Sequence, residues 1–279
     1  MKLLRFGPKG QEKTGLVDEA GVVRDLSAYL PDLGGAALSE LDGLRDLDPT
    51  TLPAVETPDR IGACLSHVPN FYAVGLNYKQ HAAELDAEPP AEPILFSKAT
   101  SSISGPHDAL RLPRTSEKTD WEVELGVVMG RTALYVSEED ALDHVAGYCL
   151  VNDISERAFQ LEHGGQWMKG KSAPGFGPVG PWLVTPDDVG DPQSLALSTR
   201  LNDEVMQSSS TSDMIFPVAQ IISYMSQFME LCPGDLIATG TPPGVGMGKS
   251  PQRFLRPGDV LELQIDRLGD QRTEILASA

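Results

Sequence analysis

The chain has 279 residues, a formal net charge of −18 and a pI near 4.6. A strongly acidic surface repels nucleic-acid phosphates and anionic lipid headgroups, so we expect neither nucleic acid nor membrane as a partner. The 41% hydrophobic content supports a substantial core, and the length fits one large domain or a large domain with a small companion.

Residues 1–66 are predicted to form a small N-terminal accessory domain. Short strands are expected at 1–6, 14–18 and 21–26, with a hairpin turn at 18–21 and a weak helix near 36–46. This segment contains no histidine and its acids are scattered, so we assign it a structural role. The main domain, which would hold any functional site, is therefore expected in residues 67–279.

The cysteines and the first residues bear on the cellular compartment. Cys64, Cys149 and Cys232 lack CxxC spacing, and the first two lie in apolar runs, as expected of reduced core cysteines. The first residues lack the long apolar segment of a signal peptide, and no apolar run approaches the length of a membrane span. We therefore predict a cytoplasmic protein.

The acidic segment 119–129 is the most informative stretch, because it predicts a buried strand that begins with Glu122 and Glu124. Residues i and i+2 of a strand point to the same side, so these carboxylates would project together. Burying them would require a positive charge, for which a divalent cation is suitable. The alternative is a strand end with hydrated acids. Asp153, at the end of a strand predicted over 147–154, is a third candidate ligand.

A second chemical feature follows the strand predicted over 71–76. His81 and Glu84 are three residues apart in a helical stretch at 77–85, so they share one helix face and could form a hydrogen bond. A histidine oriented by a carboxylate is a competent general base for water. The alternative is an exposed surface pair. A Pro- and acid-rich segment follows at 86–93, so the helix could act as a lid.

Polar residues of the second half complete the candidate set. Arg157 and Gln160 are predicted to lie on one face of a helical turn. The Gly-rich segment 164–172 predicts either a loop that presents Lys171 to an anion or a mobile surface loop. Thr241 lies in a Gly- and Pro-rich loop at 238–250 that lacks P-loop spacing, so we reject nucleotide binding. Such a loop could hold a carboxylate.

The remaining segments predict scaffold. We expect a strand at 195–202, a helix near 137–146 and an amphipathic helix at 212–228. Two Pro-Gly-Asp turns, at 233–235 and 257–259, each precede an apolar strand, which is typical of β-rich folds.

Taken together, the motifs at 75–84, 120–125, 152–160, 170–172 and 239–246 resemble the fumarylacetoacetate hydrolase family, over roughly residues 70–266 and in the family's order. The similarity is to the bacterial branch of acylpyruvate-type hydrolases and related isomerases. It implies a mixed, β-rich α+β fold with a β-sandwich or roll catalytic domain and a small N-terminal domain. It also implies a homodimer with one Mg²⁺ or Mn²⁺ per active site.

The resemblance further implies residue roles. The metal ligands would be Glu122, Glu124 and Asp153, and the base dyad would be His81 with Glu84 on a lid helix. Lys171 would act in catalysis by contacting the oxyanion or substrate. The other substrate contacts would come from Tyr78, Arg157, Gln160 and Thr241. The segment 172–176 departs from the Ser-Phe-Asp-Thr of many relatives, so the pocket wall could differ.

These residues suit cleavage of a C–C bond in an acylpyruvate or another 2,4-diketo acid, a small anionic keto acid, with release of pyruvate and a carboxylic acid. The same site could instead serve an isomerase, decarboxylase or lyase. A non-catalytic keto-acid-binding protein is a third reading, against which the intact dyad counts. The distal substituent stays open: a fumaryl group, a short acyl chain or the remnant of a 2,4-diketo-3-deoxy sugar acid.

Overall fold

The computed structural model describes residues 1–278 of the chain. Its strands, in chain order, are β1 (Lys2–Phe6), β2 (Lys13–Val17), β3 (Val23–Asp25), β4 (Ala54–Val55), β5 (Phe71–Gly75), β6 (Ile94–Lys98), β7 (Ile103–Ser104), β8 (Leu110–Arg111), β9 (Thr119–Asp120), β10 (Val123–Met129), β11 (Val145–Asn152), β12 (Ser155–Glu156), β13 (Gly177–Pro178), β14 (Leu183–Val184), β15 (Ala196–Leu201), β16 (Glu204–Ser210), β17 (Leu236–Ala238), β18 (Val260–Ile265) and β19 (Gly269–Leu276).

The helices are short. The α-helices are α1 (Lys79–Glu84), α2 (Trp167–Lys171), α3 (Pro186–Val189) and α4 (Val218–Ser226). Single turns and short runs of 3₁₀-helix lie at Gly35–Leu44, Pro49–Thr51, Thr100–Ser102, Ala141–His144, Thr211–Asp213 and Gly246–Gly248, and a π-helical turn lies at Ala158–Glu162.

A ten-stranded sheet forms the centre of the molecule, in the order β4-β3-β2-β1-β14-β11-β10-β17-β5-β6. Strands β10 and β11 lie in its middle, and all of their residues are buried. Alternate side chains of β10 enter different cores: Leu125 and Val127 belong to one apolar cluster, and Val128 belongs to the other. A strand buried on both faces needs a continuous apolar run, which explains the sequence of β10.

A second sheet, in the order β16-β15-β18-β19-β8, packs against one face of the central sheet. Leu197, Leu261, Leu263 and Ile265 from this sheet share a core with Leu125 and its neighbours. Two stacked sheets with short helices at their margins form a mixed α+β sandwich. The predicted fold class is confirmed.

The strands of the N-terminal segment extend the central sheet. β1 pairs with β2 and, on its other edge, with β14, where Lys2 lies opposite Val184. The strands expected at 1–6, 14–18 and 21–26 are present with small shifts at their ends. Because β1 and β14 are hydrogen-bonded neighbours, the segment shares a sheet with the rest of the chain. The division at residue 66 stays a prediction.

Three local predictions differ from the structure. The strand at 119–129 is interrupted at residues 121–122, because Asp120 turns to accept hydrogen bonds from the backbone N–H groups of Gly246 and Met247. The helix near 137–146 is reduced to a 3₁₀ turn, since β11 already begins at Val145. The helix at 212–228 begins only after Pro217, which occupies its N-cap position. Among residues 1–278, no helix combines the length and the apolar character needed to cross a bilayer.

Candidate active site

A cavity of about 140 Å³ lies where β5, β11 and β17 end and β10 begins, at one end of the central sheet. Antiparallel pairing of β10 with both β11 and β17 brings these strand ends to the same edge. Eight of the ten predicted site residues line the cavity: His81, Glu122, Glu124, Asp153, Arg157, Gln160, Lys171 and Thr241. Segments far apart in the sequence therefore converge as predicted.

The three predicted carboxylates form one buried cluster. Glu122, Glu124 and Asp153 each place one carboxylate oxygen within 4.8 Å of the others, and all three side chains are buried. Burial raises the pKa of Glu124, and the Asp153 and Glu122 carboxylates raise it further. Burial would raise the pKa of Glu122 too, but the charges of Arg157 and Lys171 hold it well below its usual range.

Buried cations compensate this negative charge. The Lys171 ammonium donates to Glu122 Oε2 and Asp153 Oδ2, both at 2.6 Å. Lys98 donates to the other oxygen of Asp153, Oδ1. Burial lowers the pKa of Lys98, whereas for Lys171 the Asp153 and Glu122 carboxylates outweigh burial and raise the pKa. Lys171 thus holds Glu122 and Asp153 together, and Lys98 adds a second positive charge at Asp153.

Arg157 links the cluster to the loop beneath it. Its Nη2 donates to Glu122 Oε1 at 2.7 Å and its Nε donates to Asp120 Oδ2 at 2.9 Å. Its Nη1 donates to Gln160 Oε1 at 3.1 Å, so the amide oxygen of Gln160 is engaged and its NH₂ group is the part able to donate to a ligand. Arg157 therefore fixes the position of both a carboxylate and an amide.

Lys98 and Asp120 were missing from the predicted site. The sequence did contain an indication for Lys98: it ends an apolar strand, and a cation buried there needs an acidic partner. That partner, Asp153, is 55 residues away in the sequence, so local pattern could not identify it. Asp120 had only its proximity to Glu122, and its role as an acceptor for Arg157 depends on tertiary structure.

The prediction that Lys171 lies on a loop is wrong. Lys171 ends α2 and only 2% of its surface is exposed. The helix can form there because Gly170 lies against the turn before it: a Cβ on Gly170 would fall 2.6 Å from Gln160 Cβ. The glycine therefore permits close packing and does not mark a mobile loop.

The carboxylate cluster has the chemistry of a site for a hard divalent cation. Its donors are oxygens of three acids, which Mg²⁺ and Mn²⁺ prefer. Each carboxylate oxygen has two acceptor positions, so the hydrogen bonds from Lys171, Lys98 and Arg157 leave acceptor capacity for an ion. Glu124 uses only one oxygen, which accepts from the Gly240 N–H at 2.7 Å. The residues present therefore fit such an ion.

The predicted dyad is formed. His81 Nδ1 lies 3.1 Å from Glu84 Oε2, and Glu84 Oε1 accepts a hydrogen bond from the Gly244 N–H at 2.9 Å. Glu84 does not line the cavity but anchors the imidazole, whose Nε2 is then the nitrogen available to a ligand. A Cβ on Gly248 would fall 2.3 Å from Glu84 Cδ, so this glycine leaves room for the carboxylate. Movement of α1 as a lid stays a prediction.

Two predicted substrate contacts are placed differently from the others. Thr241 lines the cavity, but its hydroxyl donates to the Val123 carbonyl at 3.0 Å and accepts from Gln207 Nε2 at 2.8 Å. A ligand carboxylate would have to compete for that hydroxyl proton. Tyr78 is fully buried and lines a separate cavity beside Lys79. Tyr78 therefore does not line the candidate site, although burial and the charge of Glu124 both raise the pKa of its hydroxyl.

The geometry of the site agrees with the comparisons with known proteins. The sequence model described as "Fumarylacetoacetate (FAA) hydrolase C-terminal" matches residues 70–276. The chain belongs to the fumarylacetoacetate hydrolase family. A Burkholderia cenocepacia protein named "Putative hydrolase" is 56% identical over 274 residues, with 97% of each chain covered. The suspected family membership is confirmed.

Solved structures of this family are similar over the whole chain. Fumarylacetoacetate hydrolase from Exiguobacterium antarcticum is 36% identical with a TM-score of 0.88, covering 99% of each chain. Maleylpyruvate hydrolase from Sphingobium sp. SYK-6, determined with manganese(II) and pyruvate, is 27% identical with a TM-score of 0.81 and covers 100% of each. A 2-hydroxyhepta-2,4-diene-1,7-dioate isomerase from Mycobacterium marinum is 31% identical with a TM-score of 0.78, covering 99% of this chain and 98% of the other. Hydrolases and isomerases thus share this fold.

Proposed function

We propose that this protein is a metal-dependent hydrolase that cleaves the C–C bond of an acylpyruvate-type 2,4-diketo acid, releasing pyruvate and a carboxylic acid. The observation that carries the proposal is the His81–Glu84 dyad beside the three-carboxylate cluster, in one cavity. The carboxylates suit an ion that binds the oxo-acid end, and the dyad suits activation of water. The related maleylpyruvate hydrolase was solved with manganese(II) and pyruvate, which are an ion and a product of the kinds proposed here.

Glu122, Glu124 and Asp153 would hold Mg²⁺ or Mn²⁺. A divalent ion bound there supplies positive charge that stabilises an anionic leaving group. Lys171 and Lys98 keep the carboxylates close together, and Arg157 holds Glu122 ionised and oriented. These cations would also lower the energy of an incoming keto-acid carboxylate in an otherwise acidic protein.

The dyad provides the proton transfers. His81 Nε2 would accept a proton from water, while Glu84 on Nδ1 stabilises the resulting imidazolium. The hydroxide adds to the distal carbonyl, and the NH₂ group of Gln160 and the ammonium of Lys171 can stabilise the oxyanion. The C–C bond between carbons 3 and 4 then breaks, its electron pair stays on the pyruvate enolate, and a proton returned to carbon 3 gives pyruvate. The elements of water are divided between the two products.

An isomerase that shifts a double bond or keto group is the second candidate, because a structure of that activity shares the fold. Isomerisation requires no water as a reactant, so product analysis separates the two. Purified protein with Mg²⁺ should convert acetylpyruvate to pyruvate and acetate in equal amounts, with loss of activity in excess chelator. Turnover of a dienedioate to its isomer, without pyruvate, would contradict the hydrolase proposal.

A further inference from the structure

We infer that the distal substituent of the substrate is an apolar alkyl or aryl group, and not a second carboxylate. The inference rests on the proposed function, which places the oxo-acid end of the substrate at the carboxylate cluster. It comes from the other half of the cavity, whose lining differs from that of the cluster in chemical character.

An aromatic wall begins where the charged half ends. Lys171 Nζ lies 5.1 Å from the centroid of the Phe96 ring, and Phe96 packs edge-on against Trp167 with centroids 5.3 Å apart. Trp167 rests on the backbone of Gly75, where a Cβ would fall 2.7 Å from its Cζ3 atom. A substrate that extends from Lys171 away from the carboxylates therefore passes along these two rings.

The cavity has six further apolar side chains of residues 1–278 in its lining. They come from β5 and the residue after it, the end of α1 and the segment that follows, the π-helical turn, and a 3₁₀ turn: Val74, Leu76, Leu85, Ala87, Leu161 and Met247. Leu161 is 47% exposed, so it lies at the mouth. For each methylene group that the substrate buries here, its affinity should increase about three- to fourfold.

The charges of the cavity lead to the same conclusion. The lining contains two cations, Arg157 and Lys171, and both are hydrogen-bonded to buried carboxylates. Within residues 1–278, no further lysine or arginine lines the cavity. Lys169 lies outside the lining, where its ammonium donates to the His163 carbonyl. A distal carboxylate would thus lose water without gaining a cation, which is strongly unfavourable.

Binding of two uncleavable acids tests the inference. 2-Oxooctanoate and 2-oxooctanedioate have the same chain length and end in a methyl group and a carboxylate, respectively, and both lack the 4-carbonyl needed for hydrolysis. Calorimetric titration in Mg²⁺ should show at least about tenfold tighter binding of the monoacid. Equal or tighter binding of the diacid would overturn the inference.

A pair of variants adds a gain-of-function arm. Leu161→Arg places a cation at the mouth of the apolar half and should reduce the preference for the monoacid by about tenfold. Met168→Arg adds the same charge at an exposed position outside the lining and should leave the ratio of the two affinities unchanged. Equal effects of both variants would indicate long-range attraction between the added arginine and the diacid. That result would count against the inference that the distal substituent lies beside Leu161.

Acetylpyruvate hydrolysis separates this inference from the proposed function. A parent enzyme that hydrolyses acetylpyruvate but binds the diacid more tightly would overturn the inference alone. A protein that prefers the monoacid but releases no pyruvate from acetylpyruvate would overturn the hydrolase proposal and would still support the apolar character of the distal half.

Discussion

Replacing Glu84 by glutamine should leave the protein folded but slow hydrolysis. The rate should fall because both carboxylate oxygens of Glu84 accept hydrogen bonds, which an amide cannot do. Oε2 faces His81 Nδ1 at 3.1 Å, and Oε1 accepts from the Gly244 N–H at 2.9 Å. A glutamine has one acceptor oxygen and one NH₂ donor. It cannot accept hydrogen bonds from both partners.

Either orientation of the amide impairs the dyad. If its oxygen stays on Gly244, its NH₂ group faces Nδ1, so the proton moves to Nε2 and blocks the proposed base. If its oxygen faces His81, two N–H groups oppose each other at Gly244, at a cost of about 1–3 kcal/mol. Because 1.36 kcal/mol is tenfold in rate, we expect kcat to fall about ten- to a hundredfold. His81→Ala, which removes the base, should cost about 10²–10⁴-fold.

Pyruvate release from acetylpyruvate, coupled to lactate dehydrogenase and NADH oxidation, measures kcat for each variant. The affinity for Mg²⁺ should stay at the parental value, since neither member of the dyad belongs to the carboxylate cluster. Glu88→Gln is a matched control, because it removes a carboxylate at an exposed position four residues later. A Glu84→Gln enzyme with the parental kcat, or a loss equal to that of Glu88→Gln, would remove the dyad from the mechanism.

Three further predictions concern charge. Asp153→Asn should abolish Mg²⁺ binding and metal-dependent turnover, and full activity of this variant in calorimetric and kinetic assays would contradict the ligand assignment. Lys171→Met removes the cation that Glu122 and Asp153 share and leaves them with Arg157 and Lys98, respectively, so the metal-free variant should have a lower Tm that Mg²⁺ partly restores; an unchanged Tm would show that Lys171 adds no compensation to that of the other two cations. Burial would raise the pKa of Asp108, but the hydrogen bonds from Arg60 and the Gly105 N–H, together with the charge of Arg60, outweigh burial and lower the pKa. The pair therefore stabilises the fold above the ordinary aspartate pKa and ceases to do so as pH falls. Asp108→Asn should therefore lower the unfolding free energy by about 1 kcal/mol at neutral pH. Urea titration should find this difference diminished as the pH falls below the ordinary aspartate pKa, and a pH-independent difference would refute the ion-pair explanation.

The parts of the site that follow from local periodicity could be predicted from the sequence. Glu122 and Glu124 approach each other because residues two apart share a side of the chain, even though Glu122 lies just before β10. His81 and Glu84 meet because three residues make nearly one helical turn. Both pairs depend on neighbours in the sequence, so the pattern contains the necessary information.

The parts that depend on distant partners could not be predicted. Lys98 belongs to the site because β6 lies beside β5 and its ammonium reaches Asp153. Gly-rich composition suggested a loop around Lys171, but packing of Gly170 against the preceding turn favours a buried helix. Tyr78 directly follows the motif residues at 75–77, yet its side chain is buried in the apolar core. Tertiary contacts decide these cases.

The pairing of β1 with β14 has a consequence for how the chain reaches its folded state. β1 to β3 can form a meander from local contacts, and Phe6 bridges to Ile61 on the other edge of β1, but the Lys2–Leu3 part of that edge has no partner until residues 183–184 are available. Closing so large a loop is entropically slow, and folding rates fall as contacts become more distant in sequence. During synthesis, that edge stays open for pairing with other chains. We therefore expect the yield of soluble protein to depend on how quickly the second half of the chain follows the first.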